Sequence, residues 1–273
     1  GRAVDECVDR LSGISEKVRR GQVGIIGKEI NYVCRGDVSI GHMGMVNQTA
    51  SLSWRDRDAG AVPVSDQFDD EYYSLGNGLD ETRHVFIAGN GLDARFGADL
   101  HVGELGFGTG LNFLATWQAW AKTGGTRLRF TSFEAFPMDK DDMRAALAAF
   151  PEVAELARVF LDRWTVGARA VEIAPHVTLD VIIGDARETL PAWESAADAW
   201  FLDGFSPAKN PALWEPALLS AVGAHTAQGG TAATYSAAGH VRASLDAAGF
   251  DVTRTKGFAR KRHMTTARLR DAK

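Results

Sequence analysis

Three alternating glycines stand between an apolar run and a helix-like segment in HVGELGFGTGLNFLATWQAW, residues 101–120. They are Gly106, Gly108 and Gly110, and Glu104 lies two residues before the first of them. Glycine has no Cβ, so the backbone at such a turn can approach a ligand closely. The spacing G-x-G-x-G differs from the G-x-G-x-x-G of dinucleotide-binding turns, which disfavours a nicotinamide-dependent dehydrogenase. The segment predicts a nucleotide-like ligand, although a tight structural turn would need similar residues.

Two further acids follow apolar, strand-like segments later in the chain. Glu134 ends RLRFTSFE, where a carboxylate can accept hydrogen bonds from both hydroxyls of a ribose. Asp185 follows VTLDVIIG and is well placed to accept from an adenine amino group, with Ala186 beside it. Each acid also has an ordinary interpretation. Glu134 could be a solvent-facing loop residue, and Asp185 could cap the short helix predicted for RETLPAW.

The segment WFLDGFSPAKNP, residues 200–211, delivers Asp203 to the end of another apolar strand. A buried acid at such a position is costly unless it is paired or used. A carboxylate held there could orient a reacting group and accept its proton. Phe205 and Pro207 follow in a stiff loop where the ring could stack or seal a pocket. The alternative is that Asp203 only forms the turn.

The elements that must position these residues alternate along the chain. Residues 50–78 suggest a strand or hairpin and then a loop, and a helix is predicted from Leu79 to about Gly89–Gly91. Beyond it, strands and helices alternate, which predicts an α/β fold whose mostly parallel sheet is covered by helices on both faces. FDVTRTKG and RHMTTARL, with no helix between them, predict an antiparallel edge strand. Residues 1–44 lack a clear period and are interpreted as an N-terminal extension, non-native or poorly ordered, and residues 45–273 as the functional domain.

Composition bounds the function classes. The chain has 273 residues, 45% of them hydrophobic and 24% charged, with a net charge of −5. No bilayer-spanning stretch or signal peptide is evident, so a cytoplasmic protein without a membrane partner is expected. With only Cys7 and Cys34 and no histidine pair at ligand spacing, no metal site is expected. Residues 252–270 contain seven Lys or Arg and no acid. That block is either a phosphate-binding footprint or a solvated hairpin.

The G-x-G-x-G turn preceded by an acid resembles motif I of class I S-adenosylmethionine-dependent methyltransferases, which have a Rossmann-like fold. DGFSP resembles the D/N-P-P-F/Y loop of enzymes that methylate amino groups, although the residues differ. Together with SWRD, PVSDQFDDEYYS, GLDETRHVFIAGNGL and FLDGFSPAKNPALW, the turn segment resembles the methyltransferase part of the MnmC family, also found as stand-alone MnmD. This resemblance covers roughly residues 50–270. It implies methyl transfer from S-adenosylmethionine to 5-aminomethyl-2-thiouridine at the tRNA wobble position, giving 5-methylaminomethyl-2-thiouridine.

The resemblance also implies roles for individual residues. The cofactor would be lined by the turn residues Glu104, Gly106, Phe107, Gly108 and Gly110. Its ribose would be held by Glu134, and its adenine would be contacted by Asp185 and Ala186. The segment SDQFDDEYYS would cover the cofactor through Gln67 with Tyr72 or Tyr73. Asp203 would engage the substrate amine, with Phe205 and Pro207 shaping the pocket for the base. The covering segment could equally be a packed surface loop.

The resemblance leaves two alternatives and one departure. A class I methyltransferase acting on another amine, or a non-catalytic S-adenosylmethionine-binding module, would share the same glycine turn. The bifunctional family members also carry an FAD-dependent oxidoreductase domain that removes a carboxymethyl group, and no second dinucleotide fingerprint occurs in this sequence. The expectation is therefore that this chain uses no flavin itself and is coupled to a separate oxidoreductase. Local basic residues at 254–262, with Lys209 and Arg83, would contact the tRNA phosphates.

Overall fold

A computed structural model describes residues 49–57, 60–74 and 77–271. The predicted extension at residues 1–44 lies outside the described residues, so that prediction stays untested. Within the described ranges, no helix is long and apolar enough to cross a membrane.

The described chain begins with a small antiparallel sheet of three strands in the order β1-β2-β3, and these are β1 (Leu52–Arg57), β2 (Gly60–Ser65) and β3 (Asp70–Glu71). This confirms the predicted hairpin. A helix follows at α1 (Gly78–Thr82) and continues as a π-helical segment, Arg83–Ala88, before a short 3-10 turn, Leu92–Ala94. The predicted helix at this place is therefore present, but most of its length is wound more widely than an α-helix.

The main sheet has eight strands, which are β4 (Asp99–Leu105), β5 (Arg127–Glu134), β6 (Val171–Ala174), β7 (Val177–Ile183), β8 (Ala197–Leu202), β9 (Thr226–Thr234), β10 (Phe250–Lys256) and β11 (His263–Leu269). Their spatial order is β10-β11-β9-β8-β4-β5-β7-β6. Strands β4, β5, β7, β8 and β9 are parallel neighbours. The chain passes from β4 to β5 on one side and later returns to β8 on the other, so the strand order reverses between β4 and β8. Ligands of doubly wound sheets bind at the carboxyl ends of the strands at such a point.

The antiparallel strands lie at both sides of this parallel centre. At one side, β6 is the edge strand and pairs antiparallel with β7. At the other side, the final strand β11 is not itself the edge: it pairs antiparallel with both β9 and β10, and β10 is outermost. The carboxyl end of β10 therefore points the same way as those of β4 and β8, which places the β10–β11 turn at the edge where the site is predicted.

Helices cover both faces of the sheet, and they are α2 (Leu111–Ala121), α3 (Lys140–Leu147), α4 (Ala154–Arg163), α5 (Ala186–Thr189), α6 (Pro216–Ala224) and α7 (Gly239–Ala247). Successive residues of β8 alternate between the faces, as in any strand. Phe201 joins the hydrophobic core under α2, α3 and α4, whereas Trp200 and Leu202 join the core under α5, α6 and α7. The two cores hold the sheet rigidly and leave its carboxyl edge to carry polar residues.

Candidate active site

The glycine turn joins the carboxyl ends of three neighbouring strands. Gly106 donates its N–H to the carbonyl of Phe133 at 2.9 Å and has φ of 88°, a conformation that favours glycine. A Cβ on Gly106 would collide with the main-chain oxygen of Asp203. Gly108 donates its N–H to Oε2 of Glu134 at 3.0 Å. The turn after β4 is thus packed directly against the ends of β5 and β8, and a side chain at Gly106 would block that packing.

A side chain on α2 links a buried and a partly buried carboxyl group at this edge. Asn112 donates from Nδ2 to Oε1 of Glu104 at 2.9 Å and to Oδ2 of Asp203 at 2.7 Å. Its Oδ1 accepts from the hydroxyl of Thr82 at 2.8 Å. Glu104 is fully buried, and its second oxygen, Oε2, has no hydrogen-bond partner among the described residues. The sequence thus brings two acids from different strands onto one amide.

The pKa values of these acids are raised because burial disfavours their charged forms. Burial raises the pKa of Asp203 to about 6, although the hydrogen bond from Asn112 lowers it. The pKa of Glu104 is raised well above its ordinary value, also by burial. A carboxyl group with a pKa near 6 is ionised at neutral pH and can still take up a proton, as a general base requires.

Glu134 and Asp185 both make local contacts within the protein. Glu134 accepts the N–H of Gly108 and, on Oε1, the N–H of Phe136 at 2.8 Å, so it ties the glycine turn to the end of β5. It is not a free loop acid. Asp185 caps α5 by accepting the N–H of Arg187 at 2.9 Å and forms an ion pair with that side chain at 2.6 Å. The capping interpretation of Asp185 is confirmed, and the ribose and adenine contacts stay predictions.

An aromatic cluster covers the glycine turn, and we call Phe68, Tyr72 and Phe205 the aromatic cap. The Phe205 ring lies 4.9 Å from Phe68 and 5.1 Å from Tyr72, measured between centroids. A Cβ on Gly108 would lie 3.2 Å from the Tyr72 ring. Burial and the nearby Glu134 raise the pKa of Tyr72. The segment SDQFDDEYYS therefore lies over the turn, and both the cofactor cover and the packed surface loop stay open interpretations of it.

Polar contacts fasten this segment to the loop that follows β8. Asp70 accepts the N–H of Ser206 on Oδ2 at 3.0 Å, and Lys209 lies 3.5 Å from Oδ1 of Asp70. Lys209 also donates to the main-chain oxygen of Asp69. Pro207 lies within this fastened loop, and Gln67 is exposed at the turn between β2 and β3. The roles of Gln67 and Pro207 in binding stay predictions.

Two of the proposed aromatic contacts point into the core instead. Tyr73 donates its hydroxyl to the carbonyl of Ala146 at 2.9 Å and packs edge-on against Phe150. Of the two tyrosines considered, Tyr72 is therefore the one at the site. The Phe107 side chain is 4% exposed and lies 5.6 Å from Trp164 between ring centroids. Only the main chain of Phe107 remains available to line a ligand.

Known proteins share this architecture and sequence. A family model described as S-adenosyl-L-methionine-dependent methyltransferase matches residues 151–270. The "tRNA 5-methylaminomethyl-2-thiouridine biosynthesis bifunctional protein MnmC" of Caulobacter vibrioides is 46% identical over 224 residues, which are 79% of this chain and 37% of that protein. The protein of the same name from Aromatoleum aromaticum is 48% identical over 218 residues, 77% of this chain and 34% of that protein. This chain belongs to the MnmC family of methyltransferases.

A solved structure agrees with that membership. The crystal structure of MNMC2 from Aquifex aeolicus superimposes with a TM-score of 0.65 at 25% identity, covering 82% of this chain and 72% of that one. The predicted Rossmann-like methyltransferase fold and the MnmC-type resemblance are both confirmed. The chain spans little more than a third of the length of the two curated MnmC proteins.

Sequence reasoning missed several residues of this MnmC-type site. Asn112 gave a weak signal, since it is a polar residue on a helix that is otherwise apolar at its start. Tyr235, just after β9, donates its hydroxyl to the carbonyl of Gly204 at 2.6 Å. Lys261, in the β10–β11 turn, lies 4.1 Å from the Tyr235 ring centroid and pairs with Glu81 at 2.6 Å. No sequence pattern joins Asn112, Tyr235 and Lys261, because they come from three separate segments.

Proposed function

We propose that this chain transfers a methyl group from S-adenosylmethionine to the amine of 5-aminomethyl-2-thiouridine at the tRNA wobble position, giving 5-methylaminomethyl-2-thiouridine. One observation carries the proposal: Asp203 stands beside the glycine turn at the point where strand order reverses, with a pKa of about 6 and an aromatic cap next to it. The names of the MnmC relatives supply the chemistry of the amine.

The residues at this edge fit the cofactor. Tyr72 packs so closely on Gly108 that a Cβ would crowd its ring, so the turn presents main chain at this point, and Glu104 has a buried oxygen that makes no hydrogen bond among the described residues. Gly106, Gly108 and Gly110 would line the cofactor, and Glu134, Asp185, Ala186 and Gln67 would contact its nucleoside end. When bound, S-adenosylmethionine supplies a methyl carbon made electrophilic by the attached sulfonium.

Asp203 would do the work on the substrate side. Its carboxylate would hydrogen-bond the aminomethyl nitrogen, hold the lone pair in one direction, and accept the proton that the nitrogen must lose. Phe205 and Pro207 would shape the pocket for a base turned out of its stack, where an aromatic ring provides a face for stacking. The cap would also exclude water from the reacting nitrogen.

The β10–β11 hairpin supplies a surface for the tRNA backbone. Arg254, Lys256, Arg260 and Arg262 are exposed, and none of them forms an ion pair with another residue in the described part of the chain. Such cations bind phosphate and release counterions. Lys209 and Arg83, also expected in this patch, are instead paired with Asp70 and Asp80. The proposed tRNA contact therefore rests on the hairpin.

The free amine must come from a preceding step. The curated MnmC relatives are named as bifunctional proteins. We propose that an FAD-dependent oxidoreductase removes a carboxymethyl group to supply the substrate, and that both steps take place in the cytoplasm.

Nucleoside analysis of tRNA tests the proposed function. The protein is incubated with S-adenosylmethionine and tRNA that carries the unmethylated wobble aminomethyl group, and digested nucleosides are identified by mass spectrometry. Appearance of the methylaminomethyl nucleoside, absent with Asp203→Asn, supports the proposal. Transfer to free alkylamines but not to tRNA would redirect it to another amine substrate, and cofactor binding without any transfer would indicate a non-catalytic module.

A further inference from the structure

Asn112 lies between Asp203, the acid proposed to act on the substrate, and Glu104, an acid for which no role on the substrate is proposed. Its amide nitrogen lies 2.7 Å from Oδ2 of Asp203 and 2.9 Å from Oε1 of Glu104. Asn112 is 6% exposed and Glu104 is 0% exposed, so neither contact is replaced by solvent. The two acids come from β8 and β4, the strands that flank the reversal of strand order.

The Asn112 amide has partners on both sides, and the carboxylate decides its orientation. The ionised Asp203 carboxylate can only accept, so the NH₂ group faces the acids and Oδ1 accepts the hydroxyl of Thr82 at 2.8 Å. An amide NH₂ has two hydrogens, and the two acids use both. The Asn112 side chain therefore has one arrangement that satisfies all its partners. Its hydrogen bond to Oδ2 holds the Asp203 carboxyl group in one direction.

We propose that Asn112 is a positioning residue of the methyl transfer: Thr82 and Glu104 fix its amide, and the amide holds Oδ2 of Asp203 so that the carboxylate faces the substrate amine. The inference rests on the proposed function for the reaction itself. A second part of the inference can be tested without substrate: in the free protein, Asn112 controls the direction and the proton affinity of the Asp203 carboxyl group.

The charges around Asp203 decide which way its pKa moves when the amide is removed. The titratable and charged groups that interact with Asp203 are Glu81, Glu104, Tyr235 and Lys261. Lys261 is the cation of this set, and it is already paired with Glu81 at 2.6 Å. The hydrogen bond from Asn112 lowers the pKa of Asp203. Without it, burial and Glu81 still raise the pKa while Lys261 and the N–H of Gly204 still lower it, so the net change is a rise in the pKa of Asp203.

The other interpretation is that Asn112 only satisfies buried polar groups for stability. Asn90 provides a matched control for this. It is 3% exposed, and its Nδ2 donates to the carbonyls of Phe86 at 2.9 Å and Trp200 at 3.2 Å, without contact to either acid. Replacing Asn90 removes a buried asparagine of similar exposure and should disturb stability without affecting Asp203.

Titration of the Asp203 carboxyl carbon by NMR tests the positioning role directly. Protein labelled at aspartate carboxyl carbons is compared as wild type, Asn112→Leu, Thr82→Val and Asn90→Leu, with the Asp203 signal assigned from Asp203→Asn. We expect Asn112→Leu to raise the midpoint by about one pH unit, because it removes a hydrogen bond to the charged form. Thr82→Val, which keeps Asn112, should raise it less, and Asn90→Leu should leave it unchanged.

Kinetics with tRNA then link the titration to turnover. Asn112→Leu should lower kcat about 100-fold, since a misdirected catalytic group costs roughly that much, and should move the acid limb of kcat upward with the NMR midpoint. Affinity for S-adenosylmethionine and the KM for tRNA should change little. An unchanged midpoint in Asn112→Leu and Thr82→Val would overturn the positioning role, and Thr82→Val decides alone if Asn112→Leu does not fold. If wild-type protein forms no methylated wobble nucleoside, the proposed function fails, while the midpoints still decide whether Asn112 controls Asp203.

Discussion

At the amino end of β4 and β8, polar side chains bind mainly main-chain groups and hydroxyls, whereas at the carboxyl end of the same strands a buried acid and a partly buried acid share one amide. Asp198 accepts the N–H of His101 at 2.8 Å, and Arg95 donates to the carbonyl of Asp198 at 2.9 Å and to Thr231 at 3.1 Å. At the other end, Glu104 keeps an oxygen that no described residue binds. Nδ1 of His101 is likewise buried without a hydrogen-bond partner among the described residues, so what distinguishes the carboxyl end is its two acids with raised pKa values.

A cavity of about 350 Å³ opens at the amino end, lined by Arg95, Asp99 and Asp198 among others. Its charged groups are already engaged, since Asp99 pairs with Arg127 and Arg95 binds two carbonyls and a hydroxyl. The presence of this cavity therefore does not by itself indicate a reactive site. The raised pKa values of Glu104 and Asp203 are the reason that we propose the carboxyl end as the reactive one.

The largest expected effect is on turnover at the carboxyl end. Asp203→Asn should lower kcat for tRNA methylation by about 10³-fold, because it removes the group that accepts the proton and directs the amine. S-adenosylmethionine affinity, measured by calorimetry, should stay close to wild type. Single-turnover methyl transfer measures the loss, and a rate within a few-fold of wild type would remove Asp203 from the mechanism.

The same substitution should increase stability. The folded-state pKa of Asp203 is raised from 3.8 to about 6, so the native protein binds more protons than the unfolded chain between these values. Stability contributed at this site therefore falls as pH rises from about 4 to 6, and the ionised acid destabilises the protein above pH 6. Asp203→Asn should be more stable by about 1–3 kcal/mol at pH 7.5 and by less at pH 4. Urea denaturation at both pH values measures this; a loss of stability at pH 7.5 would contradict it.

The amino end should respond in the opposite way. Arg95→Ala leaves the carbonyl of Asp198 and the Thr231 hydroxyl without their donor. It should lower the free energy of unfolding by about 1–3 kcal/mol, as for other buried hydrogen-bond deletions, with kcat unchanged below the melting range. Denaturation curves and tRNA methylation rates, taken on the same preparations, check both halves. A large fall in kcat with normal stability would mean that the amino end takes part in the reaction.

The smallest effect concerns the charged hairpin at the carboxyl edge. Arg260→Ala and Arg262→Ala should each raise the KM for tRNA a few-fold. Each should also reduce the slope of log affinity against log salt by about one for every phosphate that is no longer bound. Arg127→Ala, which removes a cation at the amino end, is the matched control and should leave the slope unchanged. Equal slopes for all three variants would exclude the hairpin from the tRNA surface.

Much of the site could be predicted because strand order in the sequence fixes where side chains emerge. Gly106, Glu134 and Asp203 each follow an apolar strand, and parallel strands end at the same edge, so these residues had to lie near one another. The two tyrosines, Tyr72 and Tyr73, could not be separated in this way. They are adjacent in sequence, and only packing against Phe205 or Phe150 assigns one to the cap and the other to the core.

The place of the final strand also escaped prediction. FDVTRTKG and RHMTTARL predict an antiparallel pair, but the pattern is the same whether the second strand lies outside or inside the first. In the fold, β11 pairs with β9, and β10 lies outermost. This arrangement brings Lys261 close to Tyr235 and Glu81, a contact across distant segments that no local pattern encodes.

By itself the sequence determined the α/β fold, the glycine turn and the order in which acids reach one edge of the sheet, because these depend on local propensity and on strand direction. Tertiary structure alone decided that one amide joins Glu104 to Asp203, that Glu134 binds the glycine turn, and that the Phe107 ring packs in the core. Hydrogen-bond partners and burial set the pKa of an acid, and both arise only when distant segments meet.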